Sequence, residues 1–219
     1  MNEFAVIFDM DGVICDTNPH HAKAFEAFFD KYKIAYSDQE FEEHMYGKHN
    51  SYIMSHFFKR PITGDELLRL ENEKEALFRE LYKTQVETIP HYIPFLHALK
   101  AEDFKTGVAT SAPKANLDLI VDALAIRELM NSILTSEDVT LHKPHPEVYL
   151  KSAERIGLDP SNCLVFEDSF SGITAAKNAG MNVVAVLSSH TREQLPECAY
   201  YINDYQQITP EIVKDILRS

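Results

Sequence analysis

Positive charge is scarce in this chain: 21 lysines and arginines stand against 34 aspartates and glutamates, a formal net charge of −13 over 219 residues. Sequence-independent binding to nucleic acid needs clustered Lys and Arg that displace counterions from phosphates, so this balance argues against a nucleic-acid partner. An anionic ligand would need a site that makes its own positive potential. Long apolar runs are missing too, none approaching the roughly 20 residues needed to cross a bilayer. The apolar "FAVIF" starts at Phe4, which leaves no room for a basic n-region and a cleavage site. These absences lead us to expect a cytoplasmic protein with no membrane partner. The three cysteines, Cys15, Cys163 and Cys198, are odd in number and lack metal-ligand spacing. They imply neither a disulfide framework nor a zinc site, and all three are expected to be buried thiols. Internal repeats, low-complexity segments and Gly/Ser-rich linkers are absent as well. With 45% hydrophobic residues, the chain can build a core for one domain with a sizeable insert, or for two small domains.

Short apolar runs ending in polar residues mark candidate strands: "EFAVIF" (3–8) ends at Asp9, "KTGVAT" (105–110) at Ser111 and "NCLVFE" (162–167) at Asp168. "SILTS" (132–136) and "NVVAVL" (182–187) add two more. Helical patterns follow them at 113–125, at 146–157 closed by Gly157, and at 171–180 closed by Gly180. Strands alternating with helices predict right-handed crossovers and an α/β, doubly wound parallel sheet, whose ligands bind at the carboxyl edge. Residues 17–88 differ. "PHHAKAFEAFFDKYKI" and "GDELLRLENEKEALFRELYK" carry apolar residues at helical spacing and no convincing β run. The expected organisation is a core of residues 1–16 and 89–219 with an inserted all-helical domain at 17–88. Within the insert, Phe25, Phe28 and Phe29 read as a packing stripe, and acidic 64–80 as a solvated helix face.

Asp9 and Asp11 stand in "FDMDGVICDT" directly behind the first strand, with Asp16 close by. Acid-x-acid spacing alone is weak evidence, and a turn in which both side chains cap backbone groups would produce it. The position is more telling, because carboxylates at a strand end project into the edge crevice, and Gly12 allows an unusual backbone path there. Two such carboxylates repel unless a proton or cation lies between them, and Mg²⁺ suits oxygen ligands that also face a phosphate. The other strand ends bring Thr110 and Ser111, the ammonium of Lys143, and the carboxylates of Glu167 and Asp168. A nucleophile, an acid/base, a hydroxyl, an ammonium and a metal-binding pair make a phosphoryl-transfer set.

"DMDGV" (9–13), "TSAP" (110–113), "HKP" (142–144) and "EDSFSGI" (167–173), in that order and with a helical insert after the first, resemble the haloacid dehalogenase superfamily of phosphohydrolases, within it the β-phosphoglucomutase-like and sugar-phosphate phosphatase subgroup. The resemblance spans nearly the whole chain. It implies that Asp9 attacks phosphorus, that Asp11 serves as acid and base, and that Thr110 and the Ser111 N–H hold phosphoryl oxygens. It further implies that Lys143 neutralises the phosphoryl charge, that Mg²⁺ is held by Asp9, the Asp11 carbonyl and Asp168, and that Glu167 is a ligand or supports one. The insert becomes a cap domain, in which His21 is a candidate for substrate contact.

Three functions are open: a phosphatase acting on a small phosphate ester, a mutase moving phosphate within one sugar, and a non-catalytic phospho-acceptor. The acceptor is disfavoured because Asp11 has no role in it, and so is haloalkanoate dehalogenation. The mutase pattern places an Arg three residues after a Gly of the insert and a Lys beside the second motif; here Asn50 and Pro113 occupy those positions. Lys48 and Lys114 lie one residue away and are candidate substitutes. A phosphatase of small phosphorylated metabolites is favoured over a pyrophosphatase, and the chain is expected to be a monomer or weak homodimer.

Overall fold

The computed structural model describes residues 3–45 and 50–219. The chain divides into two compact units, residues 1–16 with 86–219, and residues 17–85. The insert therefore ends about three residues before the expected 88. The reason is local: Thr88 bridges Cys15, and the Ile89 N–H donates to the Ile14 carbonyl at 2.8 Å, so this return segment pairs with the start of the first unit.

The first unit is built on a six-stranded, all-parallel sheet: β1 (Ala5–Phe8), β2 (Lys105–Ala109), β3 (Ser132–Leu134), β4 (Cys163–Glu167), β5 (Asn182–Val186) and β6 (Tyr200–Ile202), in the order β3-β2-β1-β4-β5-β6. The short β6 was not anticipated, because "YYI" is brief and half-exposed. β1 is central and completely buried, and the strand order reverses around it, which is where an open α/β sheet forms its ligand crevice. Phe8 pairs with Val108 on one side and Phe166 on the other, so Asp9 leaves the sheet beside Ala109 and Glu167.

Alternation along β1 divides its side chains between two layers. Ala5 and Ile7 join Val148, Tyr149 and Ala153 of α7 (Glu147–Ile156) and Ile173, Ala175 and Ala176 of α8 (Phe170–Asn178) in one buried cluster. Phe8 turns to an aromatic layer with Phe166 (5.2 Å between ring centroids), Tyr92 (5.1 Å), Phe95 and Tyr205. Tyr92 and Phe95 belong to α5 (Tyr92–Ala101), while α6 (Lys114–Ala123) and α9 (Pro210–Arg218) complete the α-helices of this unit among the described residues. Cys15 and Cys163 are buried as expected, whereas Cys198 is half-buried, because it lies in the connection that leads from β5 to β6.

The second unit is helical: α1 (Asn18–Tyr32), α2 (Asp38–Met45), α3 (Asn50–Phe57) and α4 (Gly64–Tyr82). Phe25, Phe28 and Phe29 of α1 pack with Phe41, Ile53, Met54, Phe57 and Leu70. The aromatic stripe is a core, and each such ring contributes about 2–3 kcal/mol by leaving water. The acidic stretch 64–80 is not uniformly solvated, in contrast to the expectation. Leu70, Lys74, Glu75 and Phe78 are buried along one side of α4, and the long lysine stem shares that side with the apolar residues. Among the described residues no helix is long and apolar enough to cross a membrane.

Phe29 is fully buried and touches Phe57 at 4.5 Å and Tyr36 at 5.5 Å between ring centroids. Phe29→Ala should cost about 3–5 kcal/mol, read by chemical denaturation followed by circular dichroism; a loss under about 1 kcal/mol would show that this core tolerates a cavity.

Candidate active site

Asp9 follows β1 and is held in line by its own N–H, which donates to the Phe166 carbonyl at 3.0 Å. The next residues form a tight turn. The N–H groups of Ile14 and Cys15 donate to the Met10 carbonyl, and Gly12, at φ +74°, donates to the Cys15 carbonyl at 2.7 Å. A Cβ on Gly12 would lie 2.0 Å from Asp168 Oδ2, so a side chain is excluded by contact as well as by conformation. Asp11, within the turn, is partly exposed, and Asp16 is exposed.

Lys143 reaches this edge from the segment before α7. Its buried ammonium donates to Asp9 Oδ1 at 2.7 Å, Glu167 Oε1 at 2.8 Å and the Ala109 carbonyl at 3.1 Å. Three directed bonds satisfy all three ammonium protons. Burial lowers the affinity of Lys143 for its proton, but the facing charges of Asp9 and Glu167 outweigh it and hold the group well above its usual range.

Glu167, the last residue of β4, is saturated with donors. Oε1 accepts from Lys143 and, at 3.0 Å, from the Tyr149 hydroxyl; Oε2 accepts from the Asp168 N–H and from the N–H and hydroxyl of Ser169. Burial would raise this carboxyl, yet the Lys143 charge and these bonds keep it below its ordinary value. Gly172 makes the arrangement possible, since a Cβ there would sit 1.6 Å from Glu167 Oε1.

Asp168 differs from Glu167. It is buried, accepts from the Ser189 hydroxyl, and is pushed well up by burial and by the charges of Glu167 and Asp9. Asp9 is likewise pushed up to about 7, by burial first and by Glu167 and Asp11 further, against the pull of Lys143. Oxygens of Asp9, Glu167 and Asp168 lie within 4.8 Å of one another. Three buried carboxylates thus face one buried ammonium, and the surplus negative charge fits a hard divalent cation with oxygen ligands.

Thr110 is buried just past β2. Its N–H donates to the Leu134 carbonyl and its hydroxyl accepts from the Ala112 N–H at 3.0 Å, which leaves the O–H to donate. Ser111 is exposed beside it. Lys114 is also exposed and pairs with Asp118 on its own helix at 2.5 Å. Asp9, Thr110, Lys143, Glu167 and Asp168 therefore come from four chain segments to one sheet edge.

Lys48 lies outside the described residues. Within the second unit, His21 lies flat on Phe78, 3.9 Å between ring centroids and 7° between planes. Its Nδ1 is 2.7 Å from Lys74 Nζ; an ammonium only donates, so Nδ1 accepts. Lys74 also donates to Glu75 Oε1 at 2.9 Å, to which the Asn50 amide donates at 3.1 Å. His21 and Asn50 are thus joined through Lys74 and Glu75, which sequence reasoning assigned to a solvated face. Tyr149, Ser188 and Ser189 were also missed. Ser188 and Ser189 follow the end of β5 after one intervening residue, a signal that was available; Tyr149 resembles any other buried helix residue.

A carboxylate-lined carboxyl edge of a doubly wound sheet, closed by one lysine, defines a class of phosphoryl-transfer enzymes. The family description "Haloacid dehalogenase-like hydrolase" matches residues 6–186. The chain belongs to that family, as an enzyme of its phosphoric monoester hydrolase type. It is 30% identical over 183 residues to the fructose-1-phosphate phosphatase of Escherichia coli, covering 83% of this chain and 95% of that one. It is also 30% identical over 189 residues to the β-phosphoglucomutase of Bacillus subtilis, covering 83% and 82%. Among solved structures, a family IA, variant 3 hydrolase from Entamoeba histolytica superposes with a TM-score of 0.92 at 26% identity, over 99% of this chain and 100% of that one.

The raised carboxyls give a signed pH dependence. A carboxyl whose folded pKa exceeds its unfolded value of about 4 destabilises the ionised protein, and the penalty is relieved as pH falls from about 7 toward 4. In chelator, Asp168→Asn should therefore melt several degrees higher than the wild type at pH 8, with the gap closing near pH 4. Identical melting curves at pH 8 would exclude charge repulsion at this edge.

Proposed function

We propose that the protein is a Mg²⁺-dependent phosphatase acting on a small phosphorylated metabolite, a sugar phosphate or a similar ester, through an aspartyl-phosphate on Asp9. The observation that carries this reading is Asp9 itself: one carboxylate oxygen is held by the buried Lys143 ammonium at a strand end where Thr110 also sits. Asp9 attacks phosphorus and the ester oxygen leaves with a proton from Asp11. Asp11 then takes a proton from water, which attacks phosphorus, releases inorganic phosphate and restores Asp9. Lys143 offsets charge on the phosphoryl group while aiming Asp9, and the Thr110 hydroxyl and Ser111 N–H take non-bridging oxygens.

Mg²⁺ would be held by Asp9, the Asp11 carbonyl and Asp168, and when bound it supplies charge compensation between the carboxylates and an incoming phosphate. The donors that saturate Glu167 support a role in orienting its neighbours rather than in ligation. His21, Lys48, Asn50 and Lys114 are assigned to choice of the leaving group, and Lys74 and Glu75 join them through their bonds to His21 and Asn50.

A phosphosugar mutase is the second reading, favoured by the similarity to a β-phosphoglucomutase. It needs cations for a second phosphate, and Asn50 and Pro113 stand where that pattern has Arg and Lys. A Mg²⁺-dependent phosphate-release screen over sugar phosphates, nucleotides and pyrophosphate, with glucose 1-phosphate also assayed for glucose 6-phosphate, separates these readings. Phosphate release from sugar phosphates is expected, with turnover reduced about 10³-fold or more in Asp9→Asn and an acid-labile phosphoryl group trapped on the wild type only. Robust glucose 1-phosphate isomerisation would overturn the phosphatase assignment, and an active Asp9→Asn enzyme would overturn the covalent route.

A further inference from the structure

Beyond β5 the chain turns through Leu187, Ser188, Ser189 and His190, and three consecutive side chains point back at the carboxylate edge. The Ser189 hydroxyl donates to Asp168 Oδ2. The Ser188 hydroxyl donates to the Gly12 carbonyl at 2.5 Å, and His190 Nδ1 lies 3.1 Å from the Asp168 carbonyl. A carbonyl only accepts, so the His190 contact places a proton on Nδ1. Asp168 is thereby held at its side chain and at its backbone, while the turn that carries Asp11 is held at the adjacent Gly12 carbonyl.

The geometry points to Ser189, supported by Ser188, as the positioning residue that presents Asp168 to the metal ion. This inference rests on the Mg²⁺-dependent reading above and adds residues from a strand end that none of the four motifs contains. Two features argue for it. Gly12 packs so closely on this group that an added Cβ would lie 2.0 Å from Asp168 Oδ2 and 3.0 Å from Ser188 Oγ, so the loop after β5 and the turn after β1 share one surface. Secondly, the two buried acids at the end of β4 are treated differently. Glu167 has both oxygens committed to several donors, whereas the Ser189 hydroxyl fixes Oδ2 of Asp168. Mg²⁺ demands near-ideal octahedral geometry, so a carboxylate whose rotation is already restrained binds it at lower cost.

The test is Mg²⁺ binding by isothermal titration calorimetry to the whole, substrate-free protein, with folding checked by circular dichroism. Ser189→Ala should weaken Mg²⁺ binding about 10–100-fold, while Ser189→Thr, which keeps the hydroxyl, should return it to near the wild-type value. Ser188→Ala should weaken it less than Ser189→Ala. In turnover, Ser189→Ala should shift the Mg²⁺ concentration needed for half-maximal rate by the same factor and recover kcat at saturating Mg²⁺, a split that general loosening of the loop would not produce. Should the Ala variant lose its fold, Ser189→Cys, of similar size with a weak donor, supplies the same comparison and should bind Mg²⁺ more weakly than the wild type. A wild-type protein that binds Mg²⁺ beside a folded Ala or Cys variant that binds it as tightly overturns this inference alone. A wild-type protein that binds no Mg²⁺ overturns the metal-dependent reading and the inference with it.

Discussion

The ammonium of Lys143 is the interaction on which the rest of the edge depends. It joins the ends of β1, β2 and β4 through Asp9, the Ala109 carbonyl and Glu167, and those three strands are adjacent in the sheet. A lysine so deeply buried is stable only because its charge is compensated, and the compensating carboxylates are tolerated only because the lysine is there. Each group is costly alone. Together they fix the direction of Asp9 before any substrate arrives, which is the preorganisation that phosphoryl transfer requires.

The compensation is deliberately incomplete in charge. One ammonium faces three buried carboxylates, and the two that remain poorly offset, Asp9 and Asp168, are the ones driven toward protonation. Glu167 is the reverse case, ionised and fully bonded. The same edge thus holds one carboxylate saturated with donors and two that are poorly offset, distinguished by how many donors reach them. With one ammonium against three carboxylates on a chain of net charge −13, this edge carries no positive surplus of its own, and the cation proposed above would supply the potential that draws an anion.

Much of this was legible in the sequence because it is local. Apolar runs ending at Asp9, Ser111 and Asp168 announce buried parallel strands with polar carboxyl ends, and the helical texture of the insert contrasts with them. What failed was whatever depends on three-dimensional neighbours. The hydroxyl of Tyr149 serves Glu167 from a helix whose pattern shows only burial. Lys74 and Glu75 sit in a run of acids that looks solvated, and only the packing of α4 shows that they are enclosed with His21 and Asn50. The strand β6 is too short, and too exposed, to give a period.

The most direct measurement is a double-mutant cycle on Lys143→Met and Glu167→Gln, taken from urea unfolding in chelator at pH 7. Lys143→Met strands the buried Glu167 carboxylate and should cost about 3–5 kcal/mol, Glu167→Gln leaves the ammonium paired with Asp9 and should cost less, and the double variant should cost at least about 1 kcal/mol less than the sum. Additivity within about 0.5 kcal/mol would contradict a structure in which this one ammonium holds the strand ends together.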